Sequence, residues 1–176
     1  MLKSCLSLAG LLLAAVAAVG CSKGGDATGA KAGGAELATA RADYVLDAEP
    51  SGAKGVVEVR RDAKDGDEVV VVGRIGGSKA PFVEGLAAFT IVDPKLAPCK
   101  PDCGCPTPWD YCCDPGELLT HKATVKIAGD GGKPVEIDAR QLLDAKELAT
   151  VVVRGRASRD EAGNLTVLAD GLYVRP

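Results

Sequence analysis

The chain has 176 residues, enough for one domain of ordinary size with a remainder too short for a second. It is 47% hydrophobic but only 3% aromatic, so its core must be built from small aliphatic side chains. A formal charge of -3 excludes the basic balance by which proteins hold nucleic acid through its phosphates. The single histidine, His121, excludes chemistry that needs two imidazoles.

Lys3 precedes an apolar run over residues 6–19, the length of a signal-peptide core and short of a membrane-spanning helix. The run ends Ala18, Val19, Gly20, Cys21. Small residues ahead of a cysteine resemble the lipobox of bacterial lipoproteins, with Ala18 standing where that family usually carries Leu, Val or Ile. The resemblance implies that residues 1–20 are a leader that is removed, that Cys21 bears the lipid, and that the membrane is the chain's first partner. Ser22 in place of Asp implies the outer membrane of the cell envelope, facing the periplasm. Two or three acyl chains suffice for such an anchor, since each buried methylene contributes about 0.8 kcal/mol. Residues 22–40 are Gly, Ala, Ser, Thr and Lys with almost no large apolar group, which reads as a tether unable to offset the entropy of ordering itself. Residues 41–52 are transitional, with Tyr44, Val45 and Leu46 as the only anchors, so 21–52 is expected to be a lipidated, flexible linker.

From residue 53 to 176 short β-rich runs alternate with Gly, Asp and Pro. Val56, Val59 and Ala63 suit one face of a short helix, the preferred reading, while Val57 and Val59 alternate as in a strand. EVVVVGRI over 68–75 is the strongest strand, and its four valines predict burial on both faces or at a barrel seam, with Gly73 the place for a bulge or a sharp bend that lets one strand serve two sheet faces. Further strands are expected at 86–92, 123–128, 150–157 and 165–174, with a short helix within DARQLLDAKELA between the third and fourth. This order, with VVVGR at 70–74 echoed by VVVRGR at 151–156, resembles the OB-fold. The likeness is to the small periplasmic OB-fold proteins of bacteria. The implied class is mainly β: a five-stranded Greek-key barrel with one or two short helices, though an SH3-type barrel or a small sandwich also satisfies the strand count.

The informative segment is CKPDCGCPTPWDYCC, which puts Cys99, Cys103, Cys105, Cys112 and Cys113 into a loop insertion spanning 97–116. Pro98, Pro101, Pro106 and Pro108 forbid a long helix or central strand there, so the loop must be shaped by cross-links or by a bound ion. In an oxidising envelope the leading reading is two disulfides, each constraining the unfolded chain by about 2–4 kcal/mol. Choosing four of five cysteines leaves fifteen arrangements open. The second reading is a soft-metal site, since C-x-C and C-C thiolates select zinc or copper and His121 is an available further ligand. The third is thiol–disulfide exchange. The segment CPTPWDYCC also resembles one in uncharacterised bacterial lipoproteins of the same barrel layout, from which no activity is carried over.

Nothing assembles into a catalytic set: the glycines of GRIGGSKAPF fit no phosphate loop, and no nucleophile elbow is present. The expectation is a non-enzymatic, lipid-anchored envelope module that binds an unknown envelope protein or small ligand. It needs no cofactor unless the metal reading holds. The candidate ligand face is Phe89, Trp109, Tyr111 and Arg74.

Overall fold

The computed structural model describes residues 33–176. The expected leader, the lipid-bearing Cys21 and the linker up to residue 32 lie outside the described residues. Within them no helix is long and apolar enough to cross a membrane.

Five strands close into a barrel-like ring: β2 (Glu68–Ile75), β3 (Ala88–Val92), β4 (Lys122–Ile127), β5 (Thr150–Arg159) and β6 (Leu165–Val174). β2 pairs antiparallel with β3, β3 antiparallel with β4, and β4 parallel with β6. β6 then pairs antiparallel with β5, and β5 antiparallel with β2, which closes the ring. A two-residue strand, β1 (Lys54–Gly55), adds parallel to β2 as the sixth member of the sheet.

The valine run forms a strand over the expected residues, but it is not buried on both faces. Val71, Gly73 and Ile75 point inward, whereas Val70 and Val72 are half-buried. The seam alternative is the one realised, because Arg74 pairs with Val92 on one side and with Thr150 on the other. The two VVV phrases face each other directly, with Val71 opposite Val153 and Val72 opposite Val152. Small β-branched side chains suit such a pair of adjoining strands, which explains the echo without duplication.

The bulge falls elsewhere than expected. The β2–β5 register runs through Gly73 without a break, and Gly73 is glycine because a Cβ there would lie 2.9 Å from the Ile91 Cβ on the adjoining strand β3. The shift occurs between β5 and β6, where Arg154 pairs with Gly171 but Gly155 pairs with Ala169. Asp170 is thus the extra residue, and its carboxylate accepts a 2.7 Å hydrogen bond from Arg154 Nε.

Helices make the class mixed α/β rather than mainly β. There are four among the described residues: α1 (Gly34–Tyr44), α2 (Val56–Asp62), α3 (Pro115–His121) and α4 (Ala139–Leu143). α2 and α4 fall where the sequence predicts them. α2 buries Val56 and Val59, and its first turn is held by Asp93, whose Oδ2 accepts from the Val57 N–H at 2.9 Å. α4 buries Ala139, Leu142 and Leu143 against the core.

α1 departs from the tether reading. Leu37, Ala40 and Tyr44, spaced i, i+3, i+7, turn one face onto the barrel core. Arg41 ties the helix to α4 by donating to the Gln141 carbonyl at 2.7 Å. Beyond it Val45 bridges Leu172, and the Leu46 N–H donates to the Leu172 carbonyl at 2.7 Å, so the expected anchors do hold the chain here.

Candidate metal centre

The β3–β4 connection carries the cysteines, and its shape follows from its prolines. Pro101 and Pro108 each open a single 3-10 turn, a position where the missing N–H is not needed. Gly104 follows the first turn at φ 71°, and Tyr111 follows the second in the same left-handed region at φ 58°. The Cys99 N–H donates to the Pro108 carbonyl at 3.1 Å and draws the two ends together. Asp110, buried among these turns, accepts from the Thr107 hydroxyl at 2.7 Å and from the Cys112 N–H at 2.9 Å. The Thr107 hydroxyl first, and then the Cys112 N–H, hold its carboxyl below the usual carboxylate range despite burial.

The loop docks on the turn that follows β2. The Gly77 N–H donates to the Trp109 carbonyl at 2.8 Å. A Cβ at Gly76 would lie 2.6 Å from that carbonyl oxygen and 3.0 Å from the Tyr111 ring, so only glycine admits this approach. Arg74 holds the loop's entry by donating to the Pro94 and Leu96 carbonyls at 2.8 and 3.1 Å. Trp109 Nε1 donates to the Lys79 carbonyl at 3.2 Å.

All five thiols are unbridged, and the fold gathers them. The sulfurs of Cys99, Cys103, Cys105 and Cys113 lie within 4.8 Å of one another. Cys105 and Cys113 are 3.8 Å apart, and four sulfurs around a zinc ion at about 2.3 Å would be separated by about 3.8 Å. Cys112 stands beside this set, 2.8 Å from Cys105 and 3.7 Å from Cys99. It forms a second, overlapping group with Cys99 and Asp110. Cys99 is buried, Cys105 half-buried, and the other three exposed, so the cluster opens to solvent. A small cleft of about 290 Å³, lined by Cys99, Lys100, Cys103 and Cys113, leads to it.

Ionisation is shared unequally. Burial resists a charge on Cys99, but hydrogen bonds from Cys113, Cys112 and Cys105 overcome it and bring this thiol below its ordinary value. Hydrogen bonding to Cys112 and Cys103 pushes the Cys105 thiol strongly up, and hydrogen bonding to Cys99 pushes Cys113 up to about 12. The thiol that ionises most readily therefore sits among thiols that resist negative charge. A cation at their centre removes that obstacle.

The candidate ligand face does not form. Phe89 is fully buried in the barrel core, 6.0 Å from Phe82 by ring centroids. Tyr111 is 1% exposed and packs against Gly76, and the Arg74 guanidinium is spent on the loop's own carbonyls. His121 stays apart from the sulfurs: its Nδ1 is 2.7 Å from the Glu117 carbonyl one turn back in α3. Missed in the sequence were Asp110, which braces the loop, and Gly76 and Gly77, on which the loop docks. A larger groove of about 750 Å³ lies away from the cysteines. In its wall Lys54 pairs with Glu58 and Arg154 with Asp170, beside the carboxylates of Asp62, Asp67 and Glu68.

No protein-family model matches the chain, and no curated protein does. Among solved structures it is similar to a crystal structure from Leishmania major Friedlin assigned as an aspartyl-tRNA synthetase, at 9% identity and a TM-score of 0.40. The match covers 80% of this chain and 25% of that one.

Proposed function

We propose that this protein is a non-enzymatic, lipid-anchored envelope module in which an OB-like barrel presents a zinc-binding tetrathiolate loop. The observation that carries the proposal is the convergence of the Cys99, Cys103, Cys105 and Cys113 sulfurs within 4.8 Å. Four thiolates fit zinc, which favours closed tetrahedral sulfur sites, better than copper(I), for which they are an alternative set. The OB-like reading is supported by the ring order, in which three antiparallel neighbours in sequence are followed by a parallel β4–β6 pair and closed by β5 against β2. The helix α4 falls between the third and fourth ring strands, as that barrel requires. The lipid anchor and the outer-membrane location rest on the lipobox-like run ending at Cys21. A bound zinc would shape a proline-rich loop that has little apolar area of its own, and so present the barrel's partner surface in one conformation.

A second reading is favoured by the 2.8 Å approach of Cys105 to Cys112, which suits a disulfide-stapled loop in a binding module. The two differ in metal content and thiol state. Protein purified in detergent without exposure to air is expected to carry one zinc per chain by elemental analysis, with no mass change on reduction. Two bridges without metal would leave the stapled module as the better account. Because Cys105 and Cys113 are held protonated, zinc uptake displaces at least their two protons, so affinity should fall at least about a hundredfold for each pH unit lowered near neutrality. Competition titrations with a chromophoric chelator between pH 6 and 8 measure that slope.

A further inference from the structure

The geometry points to a redox switch in this site: Cys112 withdraws Cys105 from the zinc set by forming a disulfide with it when a peroxide is present. The inference rests on the zinc reading. Cys105 belongs both to the four-sulfur group and to a pair with Cys112, and it cannot serve the two at once. Cys112 is the one thiol of the five outside the four-sulfur group, and it is exposed. Its backbone is held by the Asp110 carboxylate, which keeps its sulfur 2.8 Å from Cys105. A disulfide needs a separation of about 2.05 Å, so the movement required is under one ångström.

The chemistry balances with one peroxide. Held as a thiolate by the zinc, Cys105 attacks an oxygen of hydrogen peroxide, the O–O bond breaks, and the products are a Cys105 sulfenic acid and hydroxide. The Cys112 thiol then attacks the sulfenic sulfur, forming the Cys105–Cys112 bond and releasing water. The two sulfurs lose two electrons in all, and the peroxide gains them. Cys99, Cys103 and Cys113 remain, a three-sulfur site with one position open, and zinc leaves. A dithiol reductant restores the fourth ligand.

The test uses the full chain loaded with zinc in detergent. Peroxide is added in steps, released zinc is read with a chromophoric chelator, and the cross-link is located by peptide mapping. One zinc is expected to leave per peroxide consumed, with Cys105 joined to Cys112, and a dithiol should restore binding. Cys112→Ser should bind zinc as tightly as the unaltered chain and release it at least about tenfold more slowly. Equal release rates in the two proteins, or a cross-link that maps to another pair, would overturn the switch while leaving the zinc site standing. Loss of zinc binding in Cys112→Ser would make Cys112 a ligand and overturn the switch as well. A chain that takes up no zinc before any peroxide is added overturns both.

Discussion

Gly155→Val is expected to cost about 3–5 kcal/mol, a large part of the roughly 5–15 kcal/mol that holds a domain of this size together. A Cβ at Gly155 would run into the Leu168 carbonyl oxygen and lie 2.8 Å from the Ala169 Cα. Both obstacles are backbone, so no rotamer change relieves them. β6 would have to move away from β5 at the bulge, and that displacement would also break the Arg154–Asp170 pair on the outer face. The lost packing should appear as a lower urea midpoint and a fall in melting temperature. Gly34→Ala is the matched control: nothing lies within 4 Å of its added methyl, in the first residue of α1, and it should be neutral or gain up to about 1 kcal/mol. If the two variants melt together, close approach at the bulge does not govern stability.

Removing the ring of Tyr111 should separate the cysteine loop from the barrel. Tyr111→Ala deletes a side chain that is 1% exposed, a loss of about 3–5 kcal/mol for a fully buried aromatic. The ring packs against Gly76 and not among the barrel's valines, so the loss is expected to fall on the docking of residues 97–116. Amide exchange in that segment should quicken while the five ring strands keep their protection, and zinc should bind at least about tenfold more weakly. Tyr111→Phe distinguishes ring from hydroxyl. The hydroxyl is buried with no hydrogen-bond partner, and burial pushes its ionisation up, offset in part by the nearby Arg74 guanidinium. Its removal should therefore be neutral or slightly stabilising. A Tyr111→Phe variant as damaged as Tyr111→Ala would show that the hydroxyl carries the contact.

These two residues also mark where sequence reasoning stopped. Tyr111 is one of the few aromatics in a chain that has six, and its place in a proline-rich segment suggested a surface role. Its partner Gly76 is 35 positions away in a stretch that reads as an ordinary turn, and nothing local to either residue announces their contact. α1 was closer to legible: Leu37, Ala40 and Tyr44 have helical spacing, but the surrounding Gly and Ala composition outweighed three residues of pattern. Gly73 and Gly155 show the same limit in the sheet. Both occur in a V-V-V context, and only the neighbouring strand decides which one faces a bulge.

What the residues determined alone are the features that depend on neighbours in the chain: the strand at 68–75, the strand at 165–174 and a loop that prolines keep irregular. Periodicity and backbone restriction act over a few residues, and they sufficed there. The tertiary structure decided that the ring closes by a parallel β4–β6 pair, that Phe89 and Tyr111 turn inward, and that His121 stays with Glu117. It also decided that five sulfurs, spread over fifteen positions, meet in one place. Their meeting requires Cys99 to reach Pro108 and the loop to settle on Gly76 and Gly77. Such contacts form only when distant segments are brought together by burial of the barrel's apolar side chains, which is a property of the whole chain.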